Sequence, residues 1–178
     1  MPYVSPAAQS SGAVAPATWA AAVKAGLDFQ ANPPACRVGN SANQSIPNTG
    51  DSVVTFNTEA YDTDGMHSTV TNTSRITLNT AGLYEVIFHG AFTPGNDYTS
   101  AWCYLRVNGS TVIAPGVGGR SIVGAVALWL MVSTVWKFAA GDYVEVLVGQ
   151  RNSAAAARNL EVQPSYSPVF MATWIGLG

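Results

Sequence analysis

Alternate residues of this chain between Ile122 and Trp136 are apolar on both parities, with no charge before Lys137. One side of an extended strand would carry Ile122, Val126, Leu128, Leu130, Val132 and Trp136; the other would carry Val123, Ala125, Ala127, Trp129, Met131 and Val135. A strand covered on one face alternates apolar with polar, so this pattern predicts a cover on each face. The candidates for the second cover are another sheet, a bilayer or a neighbouring subunit. A spanning helix needs about 20 mostly apolar residues. This run is shorter, is interrupted by Gly124, Ser133 and Thr134, and is rich in β-branched residues. No membrane span is expected.

Elsewhere, short strands are predicted at Cys36–Val38, Val53–Phe56 and Arg75–Leu78, and longer ones at Gly82–Phe92 and Ala101–Val107. Asn108-Gly109 predicts a tight hairpin, since both residue types tolerate positive φ. Thr111–Ala114 returns from it, and Tyr143–Gln150 and Phe170–Leu177 complete the set. Many short strands separated by turn signals predict an all-β sandwich or jelly roll.

The N-terminal region reads differently. Met1 to Ala17 is a small-residue arm. Thr18 is placed to cap a helix in which Trp19, Val23 and Leu27 recur every four residues, until Asn32-Pro33-Pro34 stops it. The expected division is residues 1–34, an arm with a short helix, and residues 35–178, a β head. The apolar stripe predicts either packing on the head or docking on a partner. The opening Met-Pro-Tyr-Val-Ser-Pro lacks the basic region and apolar stretch of a secretory signal. The expectation is a chain retained in the cytoplasm unless it leaves within a larger particle.

Composition narrows the functional classes. Charged residues are 10% of the chain, against about 25% in ordinary globular domains, so the surface gains little charge repulsion and suits packing against other copies. The net charge of −2 and scattered arginines leave no basic cluster for nucleic acid. Cys36 and Cys103 are the two cysteines. They suit buried thiols better than a disulfide, although a bridge stays open. His67 and His89 are the two histidines. His67 near Asp62, Asp64 and Ser68 is no triad by proximity alone, and His89 falls in a predicted strand. Asp62-Thr63-Asp64-Gly65 begins like a calcium loop, but Met66, His67 and Thr73 then stand where ligands and glycine belong. An ordinary turn is expected. No catalytic residue, metal or cofactor is expected, and the chain reads as a non-enzyme.

One series of segments carries more. Ile76 to Phe88, with Gly82-Leu83-Tyr84 at its centre, resembles the signature strand pair of the tumour necrosis factor-like family, especially its complement globular-head branch. Val54-Thr55-Phe56, Tyr61-Asp62, Tyr104 to Gly109, Lys137 to Val144 and Phe170 to Gly176 are similar to further family elements, in the same order. The resemblance spans about Cys36 to Gly178. It implies a ten-strand jelly-roll sandwich forming a homotrimer, binding or scaffolding rather than catalysis, and the trimer axis as the cover for the second face. Tyr84, Ala125, Ala127, Trp129 and Met131 are the implied trimer contacts. The leader, from Tyr3 through Trp19 to Pro34, resembles those of small virion proteins of tailed bacteriophages. That likeness implies assembly in a host cytoplasm and a place on the virion surface, as a capsid decoration or head-fibre protein. Tyr3, Trp19, Val23 and Leu27 are the expected attachment residues, with phage capsid or tail proteins as partners. The alternatives are a minor tail protein recognising a host surface glycan, with Asn96, Asp97 and Tyr98 as candidate loop contacts, and a free trimeric lectin-like module.

Overall fold

The computed structural model describes residues 7–8, 11–12, 14–118 and 127–178. Helix α1 (Ala17–Ala31) is rich in alanine, the strongest helix former. Pro16 occupies the cap position in extended geometry, with no side-chain cap. Thr18, expected as the cap, therefore lies inside the first turn, because proline tolerates the N-terminal position that needs no N–H partner. Asn32 closes the helix through its N–H on the Asp28 carbonyl, and two prolines prevent continuation.

Thirteen strands follow among the described residues: β1 (Ala35–Gly39), β2 (Gln44–Ile46), β3 (Ser52–Val53), β4 (Thr58–Asp62), β5 (Arg75–Thr77), β6 (Gly82–Phe92), β7 (Tyr98–Val107), β8 (Thr111–Pro115), β9 (Val117–Gly118), β10 (Leu128–Phe138), β11 (Tyr143–Asn152), β12 (Arg158–Leu160) and β13 (Val169–Gly176). They form an eight-stranded sheet and a five-stranded sheet. In the larger sheet β6 lies between β10 and β13, with β1 and β4 beyond β13. In the smaller sheet β11 pairs with β7, β3 and β5, and β8 is the outer partner of β7.

The core fills the space between the sheets. Val86, Phe88, Leu130, Val132, Phe170 and Ala172 from the larger sheet meet Cys103, Leu105, Val144, Val146 and Val148 from the smaller one. Both cysteines are buried, Cys36 on β1 and Cys103 on β7. Asn108 and Gly109 take φ of +50° and +70°, and the Ser110 N–H bonds the Val107 carbonyl, as the hairpin signal requires.

Four strands escape the hydrophobic pattern. β2, β4, β9 and β12 are two to five residues long, and β4, Thr58–Asp62, is exposed along most of its length. β4 is held by pairing with β1 rather than by burial of a face, while β2 and β12 each bury one core residue, Ile46 and Leu160. The expected Val53–Phe56 strand contracts to β3, yet Val54 and Phe56 remain buried and bond Val146 and Thr73 through their N–H groups.

Candidate functional site

No cluster of catalytic groups marks a reaction centre among the described residues; the feature that stands out is the outer face of the larger sheet. From Leu128 to Val132 the even residues of β10 are buried and the odd ones exposed. Trp129 is 55% exposed, Met131 64% and Val135 52%. The antiparallel register places Met131 beside His89, Ser133 beside Ile87 and Val135 beside Glu85. One strand further, Val169, Met171 and Thr173 of β13 continue these rows, and Arg37 and Tyr61 extend the middle one. Ile175, at the bulge that ends the pairing of β13 with β6, and Leu177 beyond the strand are exposed as well. Single exposed apolar residues are normal, but a contiguous apolar face marks an interaction surface.

The strand covered on both faces within one chain is β11, not β10. Its outward residues Glu145, Leu147 and Gly149 are all buried. Glu145 accepts hydrogen bonds from Ser74, Arg75 and Arg106, and the Trp102 indole fills the space a Gly149 Cβ would need. Among the described residues β10 has no such cover.

The implied contact residues separate. Trp129 and Met131 lie on the exposed face, and Ala127 is half-buried just before β10. Ala125 lies outside the described residues. Tyr84 is a correction: it is fully buried in the core of its own chain. The even residues of β6 point inward, so its ring packs edge-on against Phe138 at 5.9 Å and its hydroxyl donates to the Thr80 carbonyl at 2.6 Å. Ile87, with Glu85 and His89 on either side, is the β6 residue that brings apolar surface to the middle of the outer face. Trp136, assigned by parity to the core, is 39% exposed. Among the described residues β9 flanks β10 only at Leu130 and Met131, and no described strand pairs with Trp136 on that side.

The helix is also rearranged. It has no buried residue; Trp19, Ala22, Val23, Gly26 and Phe29 are half-buried, and Leu27 is 61% exposed. Leu27 therefore drops out of the expected stripe. Its place is taken by Phe29, whose ring meets Trp174 edge-on at 4.9 Å. The Trp19 indole N–H donates to the Ala7 carbonyl, and Tyr3 lies outside the described residues. Tyr98, expected in a loop, begins β7 at 2% exposure and donates its hydroxyl to the Thr93 carbonyl. Asp97 is held by Arg158 at 2.6 Å, which leaves neither a free loop contact.

The chemistry-bearing residues are turn formers. Asp62 accepts the N–H groups of Asp64 and His67, and His67 Nδ1 contacts the Arg75 carbonyl at 2.9 Å. Among the described residues no group of three or more His, Cys, Asp or Glu could hold a metal, and no helix is long and apolar enough to cross a membrane. His89 is half-buried on the outer face; burial, then the nearby Arg37 charge, holds its imidazole below the ordinary value. A cleft of about 470 Å³ lies beside it, between the end of the sheet and the 163–167 loop.

The sequence matches no protein-family model and no curated protein. Solved structures do share the fold. The globular domain of zebrafish complement 1qA protein superposes with a TM-score of 0.57 at 18% identity, over 82% of this chain and 99% of that one. Murine APRIL at pH 5.0 gives 0.55 at 10% identity, over 79% and 98%; at pH 8.5 it gives 0.53 at 9%, over 79% and 98%. The head is thus a jelly-roll sandwich of the tumour necrosis factor and complement globular-head type.

Proposed function

We propose that this chain is a non-enzymatic module that assembles as a homotrimer through the outer face of the larger sheet. The observation that carries the reading is the uncovered stripe of Met131 and Val135 on β10, continued by Ile87 and Met171, with Trp129 at its end. Burying such a face between copies gains roughly 25 cal/mol per Å² of apolar area, before the cost of association. The likeness of the head to complement and APRIL structures supports a binding or scaffolding role.

The particle that carries the module is, in this reading, a tailed-phage virion assembled in the host cytoplasm. The chain serves there as a capsid decoration or head-fibre protein, attached through the arm and α1. Support comes from the leader's resemblance to those of small virion proteins and from a helix with no buried residue. Imaging of labelled protein on intact particles tests this: labelling across the capsid is expected, and tail-only labelling would assign it to the tail. Deletion of residues 1–31 should leave a folded head that no longer joins particles. Incorporation of that truncated head would remove the anchor role. Pro33 and Pro34 are kept because their carbonyls accept bonds from Thr63 and Trp174.

A further inference from the structure

We propose that the cleft between the larger sheet and the 163–167 loop binds a carboxylate-bearing sugar ring, with Trp129 as the stacking platform and Arg37 as the carboxylate anchor. The cleft is formed within one chain. Its far wall is a braced turn. Gln163 and Tyr166 exchange backbone hydrogen bonds of 2.7 and 3.2 Å. Buried Glu161 accepts both the Gln163 amide at 2.6 Å and the Tyr166 hydroxyl at 2.7 Å. With its hydroxyl fixed, the Tyr166 ring sits 4.9 Å from the Trp129 ring, tilted by 58°. The indole is thereby positioned by its own chain while 55% of the residue remains open to solvent. Among the described residues Met131 and Val135 have no aromatic partner of this kind. Trp129 therefore belongs with the cleft rather than with the centre of the subunit contact.

Charge selects the ligand. Arg37 is exposed and, among the described residues, its side chain makes no hydrogen bond or ion pair. Among the described residues no Asp or Glu lines the cleft. An unpaired guanidinium presents a planar fork that matches a carboxylate through two parallel bonds. His89 stands in the same cleft with a ring N–H to give, and Ser165 and Ser167 bring hydroxyls to it. An uncharged sugar would leave Arg37 unused, and a free inorganic anion would leave the indole unused. A ring with an apolar face, hydroxyls and one carboxylate uses all of them. Pockets that fix ligands in this way combine an aromatic wall with a few convergent polar groups.

The position suits presentation. Register places Val169 opposite Gly39 and Thr173 opposite Ala35, the end next to Trp174 and Phe29. The cleft thus lies about 13 Å along the sheet from the helix end, four strand residues away. A chain held by its helix would turn this end outward.

Saturation-transfer NMR on the full chain tests the site, with glucuronate as probe, glucose as the uncharged control and acetate as the ringless one. Transfer to the ring C–H protons of glucuronate is expected, with little to glucose and none to acetate. Trp129→Ala should weaken glucuronate binding about tenfold, the scale of one lost ring-stacking contact. Arg37→Gln should reduce glucuronate to the level of glucose. Both side chains are exposed, so circular dichroism should confirm an unchanged fold. Val135→Asp, on the same stripe but away from the cleft, should disrupt assembly yet retain glucuronate binding, which separates this site from the trimer reading. Binding by a wild-type monomer would sink only the trimer. Absent transfer, equal transfer to acetate, or unchanged binding in Trp129→Ala would overturn the sugar site. Loss of assembly in Trp129→Ala would return that residue to the subunit contact and overturn it as well.

Discussion

Gly82 and Trp174 approach so closely that a Cβ on Gly82 would lie 2.2 Å from the indole nitrogen, and 2.6 Å from the Gly176 carbonyl oxygen. Gly82 also holds φ at +151°, a conformation side chains resist. The indole donates to the Ala81 carbonyl at 3.2 Å, so it is fixed across the start of β6. Gly82→Ala is therefore expected to cost about 3 kcal/mol, combining backbone strain with overpacking. That lowers the melting temperature by about 9 °C in a chain of this size. Gly176→Ala, with open space at its Cβ, should shift it by less than about 2 °C. Equal effects of the two substitutions, measured by calorimetry, would contradict this packing.

Glu145 is buried beneath two guanidinium groups. Arg75 reaches one carboxylate oxygen at 3.3 Å and Arg106 the other at 3.0 Å, and Arg75 also lies 4.0 Å over the Tyr143 ring. Removing the shared acid leaves two partly buried cations facing each other. Glu145→Ala should cost about 3 kcal/mol, while Arg75→Ala, at the more exposed end, should cost about 1 kcal/mol. Urea unfolding of the two variants checks the order; a larger loss in Arg75→Ala would show that the acid is not the hub.

Tyrosine ionisation should follow burial. Burial pushes Tyr98 and Tyr104 up to about 12, with the Asp51 carboxylate adding to the shift at Tyr104, and raises Tyr84 further. The folded state therefore favours the neutral phenol, whose ordinary pKa is about 10. Stability from these groups is complete below about pH 10 and is lost as pH rises from there towards 12. Absorbance titration at 295 nm should show fewer tyrosinates at pH 11 in native protein than in urea. Coincident titration curves would refute the burial of these rings.

Legibility followed periodicity. Gly82–Phe92 was readable to its ends because its apolar residues alternate and its limits are sharp, and Asn108-Gly109 announced its turn through residue chemistry alone. Short pairing strands such as Arg158–Leu160 offered no period to read. For the candidate face, parity correctly separated Leu130 from Met131, but a parity rule does not reveal how far burial extends along a strand, which misplaced Trp136. Tyr84 was lost for a related reason: family likeness placed it at a contact, while its own strand parity points inward. Phe29 replaced Leu27 because helix–head contact depends on where Trp174 lies, 145 residues later. Tyr166 and Arg37 gave no local sign of sharing a cleft with Trp129, since a cleft assembled from β1, β10 and a late turn is a product of topology.

The account rests on the outer face of the larger sheet joining three copies. Light scattering on the purified chain, after size-exclusion chromatography, tests that most directly. The expected mass is three times 18.6 kDa, falling to a single 18.6 kDa copy in Met131→Asp. A wild-type monomer, or a Met131→Asp variant that keeps the threefold mass, would contradict it.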